Sequence, residues 1–132
     1  MPNEKEELQK NYLELQILTN QFQQIQDQLT LVSNQITELS NQIQHLNEFK
    51  EIKNKPKIFT QVLPGIFIKA ELEDTEKLLV NVGANVLVQK SPYETEQLIK
   101  QKIDELKEAE DALKQELIKI YNHIENIQSL LE

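Results

Sequence analysis

The chain is predicted to be mainly α with a small β element: a long antiparallel coiled-coil hairpin whose two helices are joined by two β-hairpins. Three observations predict this. Apolar residues recur at alternating spacings of three and four on both sides of the chain, the signature of a helical seam. The middle, Lys57 to Lys90, alternates with period two and holds both glycines, Gly65 and Gly83. All four prolines (Pro2, Pro56, Pro64, Pro92) stand at boundaries or turns. The 132 residues therefore divide into a first helix (1–54), two β-hairpins (55–90) and a second helix (91–132).

Asn3 with Glu6 three residues on has the pattern of a capping box, so a helix is expected to start there. After Leu8 and a polar seam position at Asn11, the apolar residues Leu15, Leu18, Phe22, Ile25, Leu29 and Val32 lead on to Leu46 without a break in the alternation. A seam kept over so many heptads argues coiled coil rather than a globular helix. A helix from about Asn3 to Phe49 would be roughly 70 Å long at helical rise. It needs a partner helix, and the far end of the same chain supplies one.

Pro56 bars continuation of the helix, and the lysines of Lys50–Lys57 read as a solvated junction. Ile58 to Leu63 is expected as a first strand. Leu63-Pro64-Gly65-Ile66 places Pro and Gly where a type II turn wants them. In the next strand Ile66, Ile68, Ala70 and Leu72 share one face, with Phe67, Lys69 and Glu71 on the other. Leu78 to Val82 and Val86 to Lys90 are expected as a second hairpin around Gly83-Ala84-Asn85. Isolated hairpins are marginal in water, so their edges and apolar faces call for the same element from neighbouring chains.

Ser91-Pro92-Tyr93-Glu94 is the sharpest local signal, with Ser as N-cap, Pro at the first helical position and Glu completing a capping box. The second seam runs from Ile99 through Ile103, Leu106, Leu113, Leu117 and Ile120 to Leu131, with Glu110 as its polar interruption. Both helices leave the same β element, so they are expected to run antiparallel. Setting Leu46 near Pro92 brings Leu8, Tyr12 and Leu15 beside Ile124, Ile127, Leu130 and Leu131. Those seven residues form the end of the arm, where Leu8, Tyr12, Ile127, Leu130 and Leu131 are expected to be partly exposed for lack of neighbours. Such an adaptable apolar surface can grip another chain.

Composition excludes most chemistry. Two glycines 18 residues apart cannot write a phosphate-binding loop or a dinucleotide fingerprint. His45 and His123 fall at opposite ends of the expected arm, roughly 45 Å apart at helical rise, too far to share a metal. Glu105, Glu108 and Asp111 read as a solvated face rather than an acid/base pair. No enzyme, cofactor or metal is expected. The net charge of −8, with lysine as the sole basic residue and no arginine, speaks against nucleic acid and anionic membranes as partners. No apolar run approaches the roughly 18 residues a span needs. The absence of cysteine suits a reducing, cytoplasmic setting.

The stretch Ile66-Phe67-Ile68-Lys69-Ala70-Glu71-Leu72-Glu73-Asp74-Thr75, followed by Val80-Asn81-Val82-Gly83-Ala84 and Val86-Leu87-Val88-Gln89-Lys90, resembles the alpha class of the prefoldin family, particularly its archaeal form. The resemblance covers essentially the whole chain, and two hairpins rather than one between the helices is the mark of the alpha class. It implies a hexamer of two alpha and four beta subunits, whose hairpins assemble into an inter-subunit double β-barrel carrying six coiled-coil arms. It also implies that unfolded client proteins are held between the arm tips without ATP and passed to a group II chaperonin. Carried onto this chain, assembly falls on the strands around Ile66, Ile68, Ala70, Val80, Val82, Val86 and Val88, and client binding on the tip residues named above. One departure is the short Leu63-Pro64-Gly65 turn, where many alpha subunits have a longer glycine-rich one. From the residues alone, a coiled-coil scaffold or filament-forming protein without clients is the alternative.

Overall fold

The computed structural model describes residues 3–53 and 55–132; Met1, Pro2 and Asn54, and with Asn54 the expected boundary after residue 54, lie outside them. Six elements follow in order: α1 (Glu4–Lys50), β1 (Lys57–Leu63), β2 (Ile66–Glu71), β3 (Leu78–Asn81), β4 (Leu87–Lys90) and α2 (Pro92–Leu131). They divide into two compact units. A helical unit takes residues 1–37 with 104–132, and a hairpin unit takes residues 38–103.

In the helical unit α1 and α2 run antiparallel. Glu14 faces His123 at 3.3 Å, the rings of Phe22 and Tyr121 lie 6.5 Å apart, and Ser33 reaches Glu110. Burial follows the alternation that the sequence shows. Leu18, Ile25 and Ile127 are buried, and the seam residues between them are half-buried. Two helices expose most of their circumference, so a stripe is all that each can cover. The start of α1 is a simple N-cap rather than the expected capping box: Asn3 Oδ1 accepts from the amide of Lys5 at 3.3 Å, two residues on, and not from that of Glu6.

The polar interruption at Glu110 has a partner. The Ser33 hydroxyl donates to Glu110 Oε2 at 2.8 Å, and Lys114 stands 3.4 Å from Oε1 one turn on. The Ser33 hydrogen bond holds the Glu110 carboxyl below its usual range, with Lys114 and Lys107 adding to it against partial desolvation.

The hairpin unit is built on local signals. Ser91 Oγ accepts from the Glu94 amide at 3.1 Å, and Glu94 Oε1 accepts from the Ser91 amide at 3.3 Å, so the box is closed in both directions. Thr95 is buried here, its hydroxyl donating to the Ser91 carbonyl at 2.8 Å. Lys50, at the end of α1, pairs with Glu96 at 2.9 Å. Leu46 sits with Thr95 and Ile99 around one cavity, a turn further along α2 than the expected neighbourhood of Pro92. Thr95, buried in the first turn of α2, is the residue that shares this cavity with Leu46.

β1 pairs antiparallel with β2 and β3 with β4, each pair forming its own two-stranded sheet. β1 begins at Lys57, one residue before expectation. Gly65 has φ +76°, as the third position of a type II turn requires. Such a turn twists against the sense of a hairpin, and the register slips between Gln61 and Leu63, leaving Val62 as a bulge. In the second hairpin Val82 and Val86 fall outside β3 and β4, at the mouth of the loop rather than in the strands. The Val82 amide still donates to the Val86 carbonyl at 3.0 Å, and Val86 donates to Gly83 at 2.9 Å. The loop carries Ala84 at φ +49° and Asn85 at φ +60°, the left-handed pair of a type I′ turn. A side chain at Ala84 stores about 1 kcal/mol there.

Two expected outcomes follow from these contacts. Ser91→Ala removes one half of the capping box and is expected to lower stability by about 1 kcal/mol in urea melts. For Glu110 the folded carboxyl is depressed, so its contribution is fully present above the ordinary carboxylate pKa and is lost as pH falls from there through the lowered folded value. The stability advantage of the native chain over Glu110→Gln should therefore be present at neutral pH and vanish on acidification; an advantage that persists at low pH would refute the role of the carboxylate.

Candidate functional site

Two surfaces stand out, one in each unit. In the helical unit it is the end at which the start of α1 meets the last turns of α2. Leu8, Tyr12 and Leu130 are 45%, 56% and 69% exposed, and Leu15, Ile124 and Leu131 are half-buried. Ile127 departs from expectation. It is buried at 4% exposure, not partly open. The physical reason is helical position: Ile127 lies on the seam and faces α1, whereas Leu130, three residues on, lies on the flank. The end of the unit is thus held by Ile127 and offers Leu8, Tyr12 and Leu130. A shallow cavity of about 250 Å³ there is lined by Leu8 and Leu130 with Glu4, Glu7 and Asn11.

Further apolar side chains on this unit escape a seam reading. Leu13 and Ile17 on α1 and Ile118 and Tyr121 on α2 are exposed. Their signal in the sequence is that they are apolar at positions the alternation of three and four does not use. Tyr121 lies beside Phe22, and the nearby Glu125 carboxylate, by hydrogen bond and charge, raises the Tyr121 hydroxyl above its usual pKa.

In the hairpin unit the surface is the strands themselves. On β2 both faces are open: Ile66 and Ile68 are exposed on one, Phe67 at 56% on the other. Across β1 and β2, Phe59 pairs with Lys69, whose ammonium stands 5.8 Å from the ring centroid. On the second hairpin Leu79 is 71% exposed, with Val82, Val86, Leu87 and Val88 also open. Of the seven residues expected to carry assembly, only Ala70 and Val80 are partly covered. Leu78 joins Leu46, Phe49, Thr95 and Ile99 around an apolar cavity of about 320 Å³.

The chemistry available is that of contact. The histidines are surface residues in different units, His45 standing 3.6 Å from Glu48 and His123 facing Glu14. Among the described residues no group of three or more metal-ligating side chains is gathered, and no helix is long and apolar enough to cross a membrane.

Burial makes one expectation concrete. Ile127→Ala opens a cavity in the seam and should cost about 2–4 kcal/mol. Leu130→Ala should change stability by about 0.5 kcal/mol or less. Paired thermal melts that rank the two the other way would contradict the placement of both side chains.

Comparison with known proteins agrees with the geometry. A family model described as prefoldin subunit matches residues 18–132. The chain is 28% identical over 127 residues to prefoldin subunit alpha of Methanococcus vannielii, covering 96% of this chain and 85% of that one. It is 24% identical over 131 residues to prefoldin subunit alpha of Archaeoglobus fulgidus, covering 99% and 83% respectively. Among solved structures, a chain of filamentous PFD from Methanocaldococcus jannaschii shares the fold with a TM-score of 0.76 at 18% identity, over 87% of this chain and 95% of that chain. The seam, the two interposed hairpins and a family match over most of its length establish that this chain belongs to the prefoldin family of non-enzymatic chaperone subunits, with archaeal alpha subunits among its relatives.

Proposed function

We propose that the chain is the alpha-type subunit of an ATP-independent holdase, built from two alpha and four beta subunits in the cytoplasm. Its β-hairpins join those of the partners in an inter-subunit β-barrel. The helical unit holds unfolded client proteins at its end and delivers them to a group II chaperonin. Neither nucleic acid nor membrane enters the cycle.

The observation that carries the assembly half is the apolar exposure of the strands. Ile66, Phe67, Ile68, Leu79 and Leu87 are open to solvent, on hairpins too small to be stable by themselves. Strands from neighbouring subunits supply both the missing edges and the missing faces. The holding half is supported by Leu8, Tyr12 and Leu130, which are exposed at the end of a unit whose next seam residue is buried. Contacts of this kind are individually weak and read no fixed order of residues. Repeated over several arms they give avidity without sequence preference.

Since Ile127 supports the end of the helices, truncating either terminus would confuse loss of contact with loss of structure. Substitution separates the two. The triple variant Leu8→Ser, Tyr12→Ser, Leu130→Ser should co-purify with its partner subunits as the native chain does, yet protect a denatured test protein from aggregation roughly 3- to 10-fold less well. Undiminished protection would remove the client role from these residues. If the native chain instead assembled by itself and protected no client, a scaffold or filament role would replace the holdase.

A further inference from the structure

The formal charge of −8 is not spread along the chain. Residues 1–37 and 104–132 hold thirteen carboxylate side chains against five lysines, while residues 38–103 hold nine of each. The whole surplus therefore belongs to the helical unit, and the hairpin unit is neutral. At the end of the helical unit the surplus meets the exposed apolar residues: the cavity floored by Leu8 and Leu130 is edged by Glu4 and Glu7. Neither glutamate has an ion-pair partner among the described residues, whereas Glu96 lies within reach of Lys50 and Lys100 and Glu110 within reach of Lys114. The positive end of the α1 dipole, about half a charge, offsets only part of Glu4, Glu6 and Glu7 together.

We infer that this end of the molecule selects unfolded segments in which apolar side chains stand next to lysine or arginine, and discriminates against acidic ones. The inference rests on the client-binding reading above and adds the charge class of the client. A lysine or arginine suits such a surface in both its parts. Its aliphatic stem lies along Leu8 and Leu130 while its charged head meets Glu4 or Glu7. An acidic segment of the same apolar content brings carboxylates against carboxylates at a site with no arginine and only Lys5 and Lys10 nearby in α1. Because these carboxylates are exposed, the attraction acts within about a Debye length, 8–10 Å at ordinary salt, and is screened as salt rises.

The test uses the full-length chain in its purified assembly and three fluorescent unfolded peptides of one apolar pattern, whose polar positions are all lysine, all glutamate or all serine. Anisotropy at low salt should show the lysine peptide binding roughly 5- to 20-fold more tightly than the glutamate peptide, with the ratio falling below about 2 at high salt. Glu4→Gln with Glu7→Gln should remove at least about half of that preference, on a logarithmic scale. Equal binding of the lysine and glutamate peptides at low salt, or a preference untouched by salt and by the double variant, overturns the inference and leaves the client role standing. Failure of all three peptides to bind overturns the client role and the inference with it.

Discussion

The constraint on which the rest depends is that a helix with one apolar stripe can bury it only against another stripe of matching period. α1 and α2 satisfy this for each other, but two helices enclose very little. Leu18, Ile25, Ile103 and Ile127 are the apolar side chains that fall below a tenth exposed among the described residues, and all four lie on the seam. Everything else on the helices is free to be polar, which is why amides, lysines and carboxylates crowd them without disturbing the pairing. The seam also carries a fixed polar layer. Ser33 and Glu110 satisfy each other where an apolar pair would pack in any of several registers, in keeping with polar seam positions trading stability for a defined alignment.

The same scarcity of interior explains the hairpins. Four short strands make two separate two-stranded sheets, and neither can cover both faces of its own β-branched and aromatic residues. Local chemistry fixes the turns well: Pro64 and Gly65 set the first, and the left-handed Ala84 and Asn85 set the second. What it does not fix is a core. The apolar residues of β2 and β4 therefore stay open to solvent on the single chain. In that sense the chain is stable by division of labour. Caps and turns define each element, the seam holds the helices, and the sheet surfaces are left open.

At the end of the helical unit burial and exposure fall on residues three positions apart. Ile127 faces α1 and is closed off; Leu130 is rotated onto the flank and remains open. The residues left open here are therefore not those that hold the two helices together. Substitution at the exposed positions can then be made without loosening the helices. The surplus of negative charge lies in the same unit as that apolar end.

The amino-acid sequence by itself determined the helices, their antiparallel pairing, the number of hairpins and the caps, because each rests on local periodicity or on residues a few positions apart. The seam residues, Ser91 with Glu94, and Pro64 with Gly65 behave as their spacing requires. The sequence also carried the family motif along β2 to β4. The tertiary structure alone decided which seam residues are closed and which flank residues are open. It buried Ile127, left Leu13, Ile17 and Tyr121 exposed, buried Thr95 at the foot of α2, and moved Val82 and Val86 out of the strands. These depend on the rotation of one helix about its axis relative to its partner and on the twist a turn imposes on its hairpin. A rotation of one residue's worth, about 100°, carries a side chain from the seam to the flank or beyond, and no spacing of apolar residues resolves its burial to that degree.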